Sequence, residues 1–557
     1  MHPLPALLAA LAAHASLSTA SASPSAPTVT LDRGTFTGGV DGPTHHFLGI
    51  PYAQPPVGDL RFRLPRAPEP YIGAHDATAF GRACTQQDTR PQFPASINSS
   101  VTQTLTMNAL AEPSGEDCLT LDVWMPADVE EGAKLPVVVW MFGGGFEVGG
   151  TSLYNASTVV SRSIEMNQPI VYVGMNYRLS LFGFLGGKEV KESGVANLGL
   201  QDQREALRWV QRYIAAFHGD PSKVTLWGQS AGAISAGLHL LAHDGDARGL
   251  FRGAFMQSGS PLPVRDVASP ADQARYDAVV GKVGCAGAED TLACLRGASF
   301  EELKSAADKS PGLYGFESLN IAWQPRVDGV FLTADPWALI QDGAVADVPF
   351  VSGDCDDEGT VFAMPSLNLT TDAQTAAYIH STYLPASTPS QLRALLALYP
   401  SAPGAGSPFG VGLNDSLTPQ YKRLAALQGD LAFHAPRRVL LGARAARQPA
   451  WTYLSKREKD TPGLGSAHTT DLFNSFGGGD LTDVVVNFVN HLDPNGAPST
   501  NASATASGTL PYWPRYDTER REVLVLLDGD VTAAVQRDDF REAGIALAGE
   551  LVAGNPF

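Results

Sequence analysis

Several short runs of this chain are apolar at almost every position rather than at alternate ones. Pro136-VVVWMF, Ile170-VYVGM, Lys223-VTLW and Val348-PFVSG are rich in β-branched and aromatic residues, which predicts strands buried on both faces. Helical spacing separates them. Between Leu200 and Phe217, residues Leu207, Val210, Ile214 and Phe217 recur on one face with charged residues between them. Strands alternating with helices predict an α/β architecture, a mainly parallel sheet covered on both sides. No internal repeat interrupts this pattern. The low-complexity pieces are the N-terminal Ala/Ser stretch and Asn495 to Gly508, a surface loop by composition. Neither resembles an interdomain linker, so one large domain is expected over residues 23–557.

Composition supports a folded chain. Hydrophobic residues make up 44 % and charged residues 17 % of 557, ordinary proportions for a large buried core. The formal charge of −18, with no basic run, argues against a nucleic-acid partner, because neutralising phosphates needs clustered Lys and Arg. An acidic surface fits an uncharged substrate without selecting one. Residues 1–22 carry an apolar centre, Leu4 to Ala13, and end in Ala20-Ser21-Ala22. That is the pattern of a signal peptide, although no Lys or Arg precedes it, and it predicts a secreted, extracellular protein. No later stretch stays apolar for the roughly 18 residues a membrane span requires.

Five cysteines in an exported chain predict two disulfides and a spare thiol. Cys285 and Cys294 are near enough to close a small loop and Cys84 with Cys118 a longer one, which leaves Cys355. Sequons at Asn98, Asn155, Asn368, Asn414 and Asn501 suit a glycosylated protein.

The sharpest chemical signal is Gly228-Gln229-Ser230-Ala231-Gly232, directly after the strand Lys223-VTLW and opening a helical run from Ala231 to Ala242. A serine nucleophile displayed on a tight strand-to-helix turn needs small neighbours, and the helix N-terminus turns partial positive charge toward it. A nucleophile for acyl transfer also needs donors for the developing oxyanion. Gly143-Gly144-Gly145-Phe146 follows an upstream strand, so the backbone N–H groups of Gly144, Gly145 and Ala231 are the candidates. No Lys-Ser/Thr pair follows the glycines, which speaks against a phosphate loop. In a fold of this kind an acid and then a histidine come later along the chain. The strand Val348-PFVSG ends in Asp354-Cys355-Asp356-Asp357-Glu358, where spacing does not choose between Asp357 and Glu358. Of His380, His434, His468 and His491, spacing favours His468, after the strand-like Ala450-WTYLS and a glycine-bearing loop; His434 and His491 lie in helical runs and read as packing or capping residues.

These segments, with Phe47-LGIPYAQPPVGDLRF, Glu116-DCLTLDVWMP, Trp140-MFGGGFEVGGTS, Asn197-LGLQDQREALRWV and Phe217-HGDPSKVTLWGQSAGA, occur in order along nearly the whole chain. They resemble the type-B carboxylesterase/lipase family, and within it the secreted fungal lipases and sterol esterases. The resemblance implies an α/β-hydrolase fold and cofactor-free, metal-free hydrolysis of carboxylic esters through an acyl-enzyme. It implies Glu358 as acid, His468 as base, Cys84–Cys118 and Cys285–Cys294 as disulfides, and Arg61 with Glu116 as an ion pair. It also implies lipid-like ester substrates met at a lipid–water interface, with the loop 84–118 as a lid whose stretch Val101 to Ala111 offers Leu105, Met107 and Leu110. An esterase for small or aromatic soluble esters is the alternative; a non-enzymatic binding relative is disfavoured because Ser230, Glu358 and His468 are all present. The chain departs from the family pattern twice. Gln229 replaces the usual Glu before the nucleophile, removing a negative charge beside the base, and Thr469 replaces the Gly after the base, with Asp471 in place of a Glu.

Overall fold

The computed structural model describes residues 26–97, 99, 102–103, 111–497 and 510–557. The expected signal peptide, the sequons at Asn98 and Asn501, most of the loop after Asn495, and Leu105, Met107 and Leu110 of the expected lid lie outside these residues.

The described chain is organised around an 11-stranded sheet. Its strands, in chain order, are β1 (Gly39–Asp41), β2 (Thr44–Pro51), β3 (Thr120–Pro126), β4 (Leu135–Met141), β5 (Val171–Met175), β6 (Gly219–Gln229), β7 (Gly253–Gln257), β8 (Phe350–Cys355), β9 (Ala450–Ser455), β10 (Glu522–Leu526) and β11 (Ala533–Arg537). In space they run β11-β10-β9-β8-β7-β6-β4-β5-β3-β2-β1. From β5 to β10 every pair is parallel; β1, β2, β3 and β11 complete the edges by antiparallel pairing. The central strands are buried on every residue from Val137 to Met141 and in Val171–Met175, Gly253–Gln257, Phe350–Cys355 and Ala450–Ser455, as continuous apolar runs require when helices cover both faces.

Helix α1 (Leu198–Tyr213) buries Leu200, Leu207 and Val210; helix α2 (Ala231–Gly245) follows β6; helix α3 (Ala435–Arg444) and helix α4 (Asp480–His491) belong to the C-terminal half. The helical reading of Leu200 to Phe217 is corrected at its ends. The α-helix stops at Tyr213, and Ile214–Phe217 tightens into a 3₁₀ turn. His434 likewise sits in a π turn, Asp430–His434, ahead of α3. A small separate sheet of Thr28–Leu31, Arg33–Thr37 and Ile72–Asp76 was not anticipated from the apolar runs, because its strands alternate or are mostly exposed.

Both expected disulfides are formed, Cys84–Cys118 and Cys285–Cys294, and Cys355 is a buried free thiol. Arg61 grips Glu116 with two parallel bonds, Nε to Oε1 at 2.5 Å and Nη2 to Oε2 at 2.6 Å. Its remaining Nη1 donates to the carbonyls of Arg296 and Ala298 at 2.9 and 2.7 Å. One nearly buried guanidinium thereby joins the first disulfide loop to the chain that leaves the second. Bidentate, charge-assisted pairing of this kind fixes orientation as well as distance.

Candidate active site

Ser230 stands between the last residue of β6 and the first of α2 with φ 55° and ψ −126°. A non-glycine residue with positive φ is strained, and such strain persists only where the surroundings enforce it. They do so by close approach. A Cβ on Gly228 would lie 2.3 Å from the Gly232 carbonyl oxygen, and one on Gly232 would lie 1.9 Å from that of Met141, at the end of β4. The Ser230 N–H donates to the Gln257 carbonyl at 2.9 Å and its own carbonyl accepts from Ile234 at 2.8 Å. The side chain is thus presented at the C-terminal edge of the sheet with its backbone clamped on both sides.

The Gly143–Phe146 loop leaves the neighbouring strand β4 and folds against the same turn. Gly144 and Gly145 have φ 113° and 63°, conformations that suit glycine. The Gly144 carbonyl accepts from Glu147 and Val148, both at 3.1 Å, and Phe146 is tied to Ser180, whose N–H donates to its carbonyl at 2.6 Å. Among the described residues nothing accepts a hydrogen bond from the N–H groups of Gly144, Gly145 or Ala231.

The acid and base loops are stitched together before their side chains meet. Asp357 pairs with Ala467 in an isolated parallel bridge, its N–H donating to the Ser466 carbonyl at 3.0 Å. Thr360 Oγ1 reaches the Leu464 carbonyl at 2.9 Å. Across this seam Glu358 Oε2 meets His468 Nδ1 at 2.5 Å, while its Oε1 accepts from the Cys355 N–H at 2.6 Å. Both side chains are buried, and the rings of Phe362 and Phe433 flank the imidazole at 5.1 and 4.8 Å. Of the two carboxylates that spacing left open, Glu358 rather than Asp357 meets His468. Asp357 is spent on other partners: Oδ1 accepts from Ser407 and Phe409, and Oδ2 accepts from Ser466 N–H and from Lys459. Burial, together with the charge of Asp356, raises its pKa above the ordinary carboxyl value. His434 pairs with Asp354, His491 with Gln168, and His380 lies on the helix Asp372–Thr382.

Gln257, Tyr453, Trp227 and Glu147 escaped the sequence reading of this neighbourhood. Gln257 gives its backbone carbonyl to Ser230 and its side chain to Asp471 Oδ2 at 3.0 Å, and Tyr453 OH donates to the same oxygen at 2.6 Å. Trp227 Nε1 in turn holds Gln257 Oε1 at 2.6 Å. Asp471 carries the histidine loop into this network, and burial raises its pKa. Glu147, next to the glycine loop, is fully buried, accepts one bond from the Leu313 N–H at 2.8 Å, and is pushed up to about 8 by desolvation. The Cys355 thiol is also held protonated by burial. Thr469, where the family pattern has glycine, keeps φ at 81°.

A cavity of about 230 Å³ opens beside this arrangement. Gly143, Gly144, Gln229 and Thr469 form its polar end, and Leu153, Tyr154, Tyr314, Leu472, Phe473 and Phe476 its apolar wall. Phe476 stacks on Trp227 at 4.7 Å, so that wall is an outcrop of the core, whereas Phe473 is 43 % exposed at the mouth.

A sequence profile described as the Carboxylesterase family matches residues 25–541. Lipase 4 of Diutina rugosa is 41 % identical over 533 residues, covering 93 % of this chain and 95 % of the relative. A secreted triacylglycerol lipase of Gibberella zeae is 38 % identical over 92 % of this chain and 88 % of its own length. Among solved structures, EstA of Aspergillus niger superposes with a TM-score of 0.78 at 27 % identity, covering 95 % of this chain and 98 % of that one.

Proposed function

This chain belongs to the carboxylesterase family and is a carboxylic-ester hydrolase; from that premise we propose that Ser230, His468 and Glu358 are its catalytic triad and that it cleaves lipid-like esters outside the cell. The observation that carries the triad is the Glu358–His468 contact at 2.5 Å on a loop seam beside the strained Ser230 turn.

In this reading His468 Nε2 takes the proton of Ser230 Oγ as the oxygen attacks the ester carbonyl carbon. The carbonyl π electrons move onto its oxygen, and the N–H groups of Gly144, Gly145 and Ala231 stabilise the resulting anion. Collapse breaks the bond to the alcohol oxygen, which takes the proton from Nε2 and leaves an acyl-serine. Water, deprotonated by the same nitrogen, repeats the sequence and frees the acid. Glu358 holds the Nδ1 proton throughout and offsets the transient imidazolium charge.

The preference for lipid-like esters rests on the aliphatic and aromatic cavity wall and the exposed Phe473 at its mouth; the lipases among the relatives point the same way. Two disulfides, the residues 1–22 and the exposed sequon asparagines Asn155, Asn368 and Asn414 support export, and the one 11-stranded sheet supports a single catalytic domain. Hydrolysis of p-nitrophenyl esters from acetyl to palmitoyl tests the substrate class: rates that rise with chain length and jump when substrate aggregates are expected. Activity confined to short chains would assign soluble esters instead. Ser230→Ala should abolish turnover with an unchanged melting temperature, and retained activity would refute the nucleophile.

A further inference from the structure

Resting on the triad just proposed, we infer that Gln229 is a positioning residue that caps the base between turnovers and must release it before Ser230 can be deprotonated. The Gln229 side chain is buried, and its Nε2 lies 3.2 Å from His468 Nε2. Because Glu358 takes the Nδ1 proton, Nε2 of the neutral ring offers only a lone pair, so the carboxamide must face it with its NH₂ group. Among the described residues this is the only hydrogen bond to His468 Nε2, and none links that nitrogen to Ser230 Oγ. The single lone pair that must receive the serine proton is therefore occupied by an amide donor at rest.

The release is coupled to substrate. Gln229 Oε1 packs against Gly143, where a Cβ would approach it to 2.5 Å, and Gln229 lines the cavity together with Gly143 and Gly144. An ester seated in the glycine cradle touches the carboxamide directly. Turning that group about its last torsion withdraws the NH₂ from Nε2 and, once the ring has taken the serine proton, offers Oε1 as an acceptor for the new Nε2–H. A carboxylate at this position could accept that proton but could not cap the neutral ring. The other groups facing the imidazole are Glu358 at Nδ1, the Asp471 carboxyl, which senses both His468 and Glu358, and the uncharged rings of Phe362 and Phe433.

The test compares the full-length enzyme with Gln229→Met and Gln229→Glu in pre-steady-state acylation by p-nitrophenyl butyrate from pH 5 to 9. Losing the cap should make the burst of the Met variant about two- to tenfold faster at pH 7, the worth of one net hydrogen bond. In the Glu variant the acidic limb of the acylation profile should move up by about one pH unit or more, because a negative charge beside the ring favours its protonated form. A Met variant no faster than wild type, or a Glu variant with an unmoved acidic limb, overturns the cap; should the Met variant not fold, the Glu profile decides. Stoichiometric labelling by a fluorophosphonate, lost in Ser230→Ala, reports on the triad separately, so that failure of the cap and failure of the triad are told apart.

Discussion

Replacing Glu358 by Gln and, separately, Asp357 by Asn perturbs two adjacent buried carboxylates that the structure uses in opposite ways. In Glu358→Gln the Cys355 N–H, at 2.6 Å from Oε1, still demands an acceptor, so the amide oxygen stays there and the NH₂ group turns toward His468 Nδ1. A donor facing Nδ1 forces the ring proton onto Nε2, the atom that must act as base. Holding the imidazole in the wrong tautomer costs about 10⁴ in kcat in a serine triad, or about 5.5 kcal/mol of barrier. Stability should change little. In Asp357→Asn, with the oxygen kept for Ser407 and Phe409, the NH₂ confronts the Ser466 N–H and the Lys459 ammonium. Two acceptor contacts are lost, one of them charge-assisted, a destabilisation of about 2–4 kcal/mol; Lys459 keeps Asp356 at 2.6 Å, which limits the damage. Turnover per folded molecule should stay within about tenfold of wild type, since Asp357 touches no reacting group. Urea unfolding and kcat for p-nitrophenyl butyrate measure the two effects. If Glu358→Gln kept turnover within tenfold while folded Asp357→Asn lost it, the assignment of the acid would be wrong.

Two further outcomes follow from strained or buried groups. Thr469→Gly removes a β-branched residue from φ 81°, so relief of about 1 kcal/mol or more should outweigh the greater freedom of glycine in the unfolded chain; a lower melting temperature would show that this backbone is not strained. Glu147 has its pKa raised from an ordinary 4.5 to about 8. Its protonated form is favoured by folding, so the stability it contributes is complete below pH 4.5 and lost as pH rises through about 8. Glu147→Gln should flatten that decline, and identical melting-temperature profiles for variant and wild type between pH 5 and 9 would remove Glu147 as its source.

The parts of this molecule legible in the sequence are those where one physical requirement dominates. Strands covered on both faces must be apolar throughout, and β4, β5, β6 and β8 appear where those runs occur. A turn that forbids side chains must be glycine, which exposed both the proposed nucleophile and the loop of Gly144 and Gly145. The strands of the small separate sheet were less visible because mostly exposed residues such as Ile72 to Asp76 serve many backbone shapes equally well. Long-range partnerships were the hardest to read. Nothing local to Asp357 and Glu358 reveals that one faces Lys459 and the other a histidine more than a hundred residues away; only family resemblance distinguished them in advance. Gln257 and Tyr453 escaped even that, since they reach Asp471 only through the packing of β7 and β9 beside the histidine loop.

The contact between Gly232 and the Met141 carbonyl, with Gly143 pressed against Ser230, leaves no space for even one methyl group where the nucleophile turn meets the glycine loop. Two segments locked at that distance move as a single piece, so the spacing between attacking oxygen and anion donors is insulated from breathing of the surrounding helices. Variation is thereby partitioned: these glycines are closed to change, while Phe473 at the cavity mouth stays open to it. A laboratory lineage selected for new acyl or alcohol preferences should accumulate its substitutions around that mouth and leave the interlocked glycines untouched.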